Sequence, residues 1–324
     1  MSDTQLTVAI AQIEPFWLKR DATVNKVAQW VRDAGDRGAR LVCFAEAIVP
    51  GYPFWLEHTD GARFESAEQQ RWHTHYLREA VVIERGDLDP IRAAALESGC
   101  HVVLGVIERA QDRAGHSVYC SMVTIDQFGH IVNVHRKLMP THEERLVWAQ
   151  GDGYGLRALP LPPFTLGALN CWENWMPLAR AALYAQGVNL HVATWPGSLR
   201  NTEQITRFVA FESRSYVLSA SSILNRDHLP DDLPLRERLH AALPAHPANG
   251  GSAIAGPNGQ WVVEPVVDRE ALLVATLDLD AVYAERRLFD PFGHYSRPDV
   301  LELHVRRHRP TGIRILDEQD PSDS

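Results

Sequence analysis

Apolar residues fill the first segment, Leu6-Thr7-Val8-Ala9-Ile10-Ala11-Gln12-Ile13, densely enough for a buried strand. A helix follows, capped by Asp21, with Val27, Trp30, Val31 and Ala34 sharing one face at helical spacing. Leu41 to Ala45 then returns as a second short apolar run. That strand-helix-strand order, with a crossover of adequate length, predicts strands in a sheet covered by helices. The pattern continues with a helix opening at Asp89-Pro90 and stopping at Gly99, then strands over His101 to Ile107 and Val118 to Ile125. Thr165 to Asn170, Asn189 to Thr194, Val217 to Leu224, Gln260 to Val267 and Leu272 to Leu277 read as further strands, with helices near 175–186 and 202–214. Strand-helix and strand-strand connections are mixed, which favours a large α/β sandwich over a barrel of strictly alternating units.

Two stretches break this rhythm. Residues 57–76 are polar and aromatic, residues 226–248 are rich in Pro, Asp, His and Arg, and both read as surface insertions. No interior linker divides the chain, so one domain is expected over residues 1–310, followed by a disordered acidic tail over 311–324.

Composition narrows the class. A chain of 324 residues, 45% hydrophobic and 23% charged, buries about three quarters of its unfolded surface and needs neither metal nor disulfide to fold. The formal net charge is -9, and basic residues are scattered apart from Arg306-Arg307-His308-Arg309, which argues against nucleic acid as a partner. No stretch approaches the roughly 20 apolar residues of a membrane span, and Met1-Ser2-Asp3-Thr4-Gln5 is not a secretory signal, so a cytoplasmic protein is expected. Cys43, Cys100, Cys120 and Cys171 lack C-x-x-C spacing, which speaks against a disulfide framework or zinc ribbon.

Three positions carry candidate chemistry. Cys171 stands between an apolar run ending at Asn170 and a helical pattern opening near Pro177, a strand-to-helix elbow. The free N–H groups of such a helix start lower a thiol pKa and hold a developing anion. A thiol with a pKa of about 8.5 still needs a base, and no His occupies an arguable position. Glu46 follows a buried strand and precedes the Pro50-Gly51-Tyr52-Pro53 turn. A carboxylate there is poorly solvated, which suits both a proton acceptor and a buried ion-pair partner. Lys137 ends the run Ile131-Val-Asn-Val-His135-Arg136-Lys137, and lysine otherwise occurs only at Lys19 and Lys26. In a chain so rich in arginine, that retention hints at a compact ammonium, although a single retained lysine is a small sample and chance remains a live explanation. All three positions are strand ends, which converge at a rim of the sheet in layered α/β folds.

These residues resemble the nitrilase superfamily of carbon-nitrogen hydrolases, whose members share a Glu-Lys-Cys triad in a four-layer α-β-β-α sandwich. The likeness runs from Val8-Ala9-Ile10-Ala11-Gln12 to Gly293-His294-Tyr295-Ser296-Arg297-Pro298-Asp299. It rests on Phe44-Ala45-Glu46 with Pro50-Gly51-Tyr52-Pro53, on His135-Arg136-Lys137-Leu138 with Pro140-Thr141-His142, and on Asn170-Cys171-Trp172-Glu173. Cys171-Trp172-Glu173 resembles the true nitrilase branch, as do Gly151-Asp152-Gly153, Ala193-Thr194-Trp195-Pro196 and Gly250-Gly251-Ser252. The family's second glutamate, in a Pro-Thr-His-x-Glu-Arg pattern, falls on Glu144, with Arg145 setting the register against Glu143.

The resemblance implies that Glu46 takes the proton of Cys171, that the thiolate attacks a nitrile to form a thioimidate, and that Lys137 and the Trp172 N–H stabilise the developing charge. It implies that Glu144 orients Lys137, that the products are a carboxylic acid and ammonia, and that no cofactor or metal takes part. It further implies a homodimer or a larger homo-oligomer, possibly a spiral, with the two insertions and Leu301-Glu302-Leu303-His304-Val305 as contact surfaces. An amidase with the same triad and a non-catalytic assembly protein of this fold are the rival readings.

Blander readings stand beside these. Tyr52, Trp172 and Trp195 suit a substrate pocket or plain packing. His73 with His75, and His304 with His308, have spacings a metal accepts, but without a third ligand they read as surface histidines. Asp152 and Asn174 read as turn and helix-start residues, and Cys43 as core.

Overall fold

The computed structural model describes residues 3–310. Among the described residues, thirteen strands form two sheets. The first half contributes β1 (Gln5–Gln12), β2 (Leu41–Cys43), β3 (His101–Arg109), β4 (Val118–Ile125) and β5 (Ile131–Arg136). The second contributes β6 (Leu159–Leu161), β7 (Phe164–Asn170), β8 (Leu190–Thr194), β9 (Tyr216–Ala220), β10 (Ile223–Leu224), β11 (Ala248–Ala255), β12 (Trp261–Val267) and β13 (Ala271–Asp278). One sheet runs β13-β1-β2-β3-β4-β5, and the other β10-β11-β9-β8-β7-β6 with β12 paired to β11. Each has a parallel centre, β1-β2-β3 and β7-β8-β9, flanked by antiparallel strands. β13, from the far end of the chain, closes on β1 in full register from Gln5↔Asp278 to Gln12↔Ala271.

Strand alternation assigns the layers. Val8 and Ile10 point between the sheets, where they meet Leu166, Leu190, Val192 and Leu218. Ala9 and Ala11, one residue out of phase, pack under the helices Arg20–Asp36 and Asp89–Ser98 through Val24, Val27, Val31, Ile91 and Ala94. The second sheet repeats the scheme: Leu169 packs on Ala179 and Leu183 of the helix Pro177–Tyr184, and Ala193 and Val217 on Ile205 and Val209 of Leu199–Ser213. The result is an α-β-β-α sandwich, the expected class.

Several local expectations change. Asp21 does not cap the first helix: the cap position is Lys19, without a side-chain bond, and Asp21 lies inside the first turn, bonded to Arg20 Nε at 2.8 Å. A carboxylate there is favoured by the helix dipole instead. The strand expected over Val217 to Leu224 breaks after Ala220, because Ser221 N–H turns to Ser252 Oγ at 2.9 Å and Ser222 Oγ to the Pro196 carbonyl. The two insertions are not merely superficial. They form the helices Ala67–Glu79 and Arg236–Ala242, and Trp72, Tyr76, Leu229, Leu233, Leu239 and Leu243 join Trp17 and Trp55 in a satellite core. Trp72 and Tyr76 are an i, i+4 pair, so one helix face hides both among polar neighbours. The expected tail over 311–324 lies outside the described residues, and no described helix is long and apolar enough to cross a membrane.

Candidate active site

The three candidate residues sit just beyond strand ends, but not on one sheet. Glu46 follows β2 and Lys137 follows β5 in the first sheet, whereas Cys171 follows β7 in the second. The site therefore straddles the seam between sheets rather than one rim. Past β2 the chain crosses over: Phe44 N–H still donates to Val103 O at 2.9 Å, while Glu46 N–H donates to Trp195 O at 3.2 Å, beyond β8 of the other sheet. Gly105 makes room for the crossing, since a Cβ there would stand 2.3 Å from the Ala45 carbonyl oxygen. Lys137 N–H donates to Cys120 O at 2.8 Å, prolonging the β4-β5 ladder by one residue. Alternation then aims Lys137 and His135 to one side and Arg136 to the other, where Glu108 and Asp112 hold its guanidinium.

At the elbow, Cys171 has φ 48°, a left-handed conformation unusual for a residue with a Cβ. Asn174 holds the turn from inside, its Nδ2 donating to Leu169 O at 3.2 Å and Cys171 O at 2.9 Å, and its Oδ1 accepting from His191 Nε2 at 2.7 Å. Burial, with Arg180 nearby, pushes His191 down to about 3, so it is a neutral donor. Asn174 and Asp152, which caps Tyr154 N–H at 2.9 Å, thus act in the local structural roles expected of them.

An ammonium forms the centre. Lys137 Nζ donates to Glu46 Oε1 at 2.8 Å and to Glu144 Oε2 at 2.7 Å, and all three side chains are buried. Glu144, rather than Glu143, meets the lysine; Thr141 N–H donates to the same Glu144 oxygen at 2.6 Å and Tyr52 OH to the other at 2.9 Å. Glu143 stays at the rim, 3.3 Å from Tyr52 OH. Single ligand atoms of Glu46, Glu144 and Cys171 lie within 4.8 Å of one another. That donor set could suit a metal, but the lysine ammonium already occupies the space between both carboxylates.

Glu46 Oε2 is buried and has no hydrogen-bond partner. Burial pushes the Glu46 carboxyl up to about 7, with Lys137 opposing and Glu144 adding to the rise. Burial and the same two carboxylates push the Cys171 thiol well up, against the pull of Lys137 and the Trp172 N–H. The resting site therefore holds a protonated thiol close to a carboxyl that titrates at about 7, a pairing that suits a nucleophile and its base.

Of the other candidate residues, Trp195 is fully buried and packs with Cys171, whereas Trp172 is half-exposed, its ring 6.1 Å from Trp175. Tyr52 belongs to the hydrogen-bond shell of Glu144. Cys43 lies between the sheets, as expected of core. Sequence reasoning overlooked Cys120, whose thiol donates to Glu46 Oε1 at 3.5 Å, and Trp148, whose ring lies 5.3 Å from Lys137 Nζ. The available signal for Cys120 was its place on β4, the strand paired with the lysine strand. His135 was also passed over; it meets Glu173 at 3.0 Å.

Comparison with known proteins places the chain in a family. Residues 7–287 match the family model described as carbon-nitrogen hydrolase. The chain is 35% identical to a protein named nitrilase 2 from an unknown prokaryotic organism, over 94% of this chain and 93% of that one. It is 33% identical to an arylacetonitrilase of Aspergillus kawachii, over 98% and 99% of the two chains. The fold is similar to that of a carbon-nitrogen hydrolase from Helicobacter pylori, with TM-score 0.68 and 19% identity over 91% of this chain and 96% of that one.

Proposed function

Because the chain belongs to the carbon-nitrogen hydrolase family, on its nitrilase branch, we propose that it hydrolyses an organic nitrile to the carboxylic acid and ammonia. The observation that carries this reading is the buried ammonium shared by Glu46 and Glu144, with a thiol beside both carboxylates. Glu46, through its unpartnered Oε2, takes the thiol proton as Cys171 Sγ bonds to the nitrile carbon, and the nitrogen is protonated to give a thioimidate. Lys137 and the Trp172 N–H stabilise the negative charge that develops on nitrogen. Glu46 then activates a water that adds to the thioimidate carbon. Ammonia leaves, a thioester remains, and a second water releases the acid and restores the thiol. Glu144 holds Lys137 in place from the far side.

A panel of aliphatic, aromatic and arylacetic nitriles with matching amides, followed by ammonia release across pH, tests this reading. Nitriles are expected to turn over faster than amides. Activity is expected to fall on the acid side as Glu46 is protonated at about 7, since the base must be ionised to accept a proton. Faster turnover of the amides would assign the chain to amide hydrolysis, and no turnover of either would favour a non-catalytic role.

Self-association is part of the proposal. The outer helices leave Leu178, Phe208 and Phe211 exposed, and the last two, with Trp175, line a surface cavity of about 710 Å³. Sedimentation velocity at micromolar concentration is expected to show a dimer or larger species, and a monomer would refute this part.

A further inference from the structure

One buried carboxylate ties the lysine segment to the cysteine segment. Glu173 Oε1 accepts from Leu138 N–H at 2.6 Å, and Oε2 from Asn170 N–H at 2.8 Å. His135 Nε2 lies 3.1 Å from the first oxygen and 3.0 Å from the second. Leu138 is the residue after Lys137 and His135 stands two before it, at the end of the edge strand β5; Asn170 immediately precedes Cys171. β5 and β7 belong to different sheets, so no strand ladder sets the distance between ammonium and thiol.

A capping box explains part of this geometry, since Asn170 and Glu173 cap the short helix Cys171–Trp175 reciprocally. That box uses one carboxylate oxygen. The bond to Leu138 and the contact with His135 reach across the seam and serve no cap. Glu173 is itself buried and stays anionic: burial raises its pKa, but His135 and the two N–H groups outweigh burial and hold it below the usual carboxylate range. Close packing fixes His135 in turn, because a Cβ on Gly155 would stand 2.3 Å from the His135 Cα.

We propose that Glu173 is a positioning residue that clamps the ends of β5 and β7 together and thereby sets the approach of the Lys137 ammonium to the Cys171 thiol. The inference rests on the nitrile reaction proposed above and adds to it a residue that never touches substrate. A Glu173→Gln side chain keeps the length but offers one oxygen and one NH2 group, so one of the two backbone N–H groups faces a donor. Misplacement of reacting groups by about 1 Å lowers rate by about 10²-fold, and that is the expected loss of kcat, with KM nearly unchanged. Alkylation of Cys171 by iodoacetamide is expected to slow in the same variant, read per folded molecule after a melting curve.

A purely structural Glu173 would lower the melting midpoint but leave both rates per folded molecule unaltered, and that result would overturn the proposal. Should Glu173→Gln not fold, Glu173→Asp keeps the charge and shortens the reach, and the same two rates decide the matter. The alkylation arm separates the two claims. Slowed alkylation in an enzyme whose wild type hydrolyses no nitrile would sink the reaction and retain the clamp.

Discussion

A Cys171→Ala protein is expected to fold and to release no measurable ammonia from any nitrile, a loss of about 10⁴ to 10⁶-fold of the kind seen when a nucleophile is removed. The reason is chemical rather than structural. Cys171 supplies the one protein atom in the mechanism that bonds to the nitrile carbon, and neither Glu46 nor Glu144 can replace a polarisable sulfur at that place. The fold should survive, because the elbow is held by Asn174 through the Leu169 and Cys171 carbonyls and by Glu173 through the Asn170 N–H, none of which involves the sulfur. Mass spectrometry of a slow substrate should show the acyl adduct on wild type and none on the variant. Turnover unchanged in Cys171→Ala would remove the nucleophile from the mechanism. A Cys171→Ser enzyme should be nearly as inactive, because a hydroxyl is a far poorer nucleophile beside a base with a pKa of about 7.

Replacing Lys137 with alanine combines two losses. Removing one preorganised donor to a developing charge costs about 10² to 10³-fold in kcat. It also leaves Glu46 and Glu144 buried without their cation, a change that typically destabilises by about 3 to 5 kcal/mol. Glu46 escapes part of that cost by holding a proton, which takes it out of its ionised, proton-accepting form. The folded pKa of Glu46, already raised by burial, then loses the opposing pull of the lysine and stands further above the unfolded one, so the folded state binds more protons in that window. Stability contributed by such raised carboxyls is complete below the unfolded range and is lost as pH rises through the folded pKa. Urea unfolding of Lys137→Ala is therefore expected to show stability falling from about pH 5 to about pH 8 more steeply than in wild type. Equal slopes, or a kcat near wild type, would contradict a lysine shared by two buried carboxylates. Lys137→Met, which restores bulk without charge, should recover little activity.

Much of the fold was legible because its strands are buried on both faces, so continuous apolar runs announced them. β4 spans Val118–Ile125 as read, and the helix Asp89–Ser98 stops at Gly99 in the left-handed conformation that glycine favours. The helix Ala67–Glu79 was hidden because its apolar face amounts to Trp72 and Tyr76, with Glu, Gln, Arg and His around them. The small core they enter gathers Trp17, Trp55, Leu229 and Leu239 from distant parts of the chain, which no local window reveals.

The residue types of the candidate site were equally plain. A cysteine after an apolar run and before a helix-opening proline, a carboxylate after a buried strand, and a lysine kept among arginines each follow from local chemistry, and the pattern Pro140-Thr141-His142 with Arg145 pointed to Glu144. Local chemistry singled out Cys171, Glu46 and Lys137 while leaving plainer readings of the last two open, and the family resemblance supplied Glu144. Only the tertiary structure decided that Glu46 and Lys137, 91 residues apart, share a proton-bearing contact, and that the thiol reaches them from the opposite sheet. Sheet membership depends on which strands pair over long loops, and pairing is settled by packing of the whole core, to which the sequence neighbours of any one residue contribute little. For the same reason the contacts of Glu173 with Leu138 and His135 exist only in the folded chain, where two sheets close face to face, and that of Cys120 with Glu46 only where β2 and β4 are gathered into one sheet.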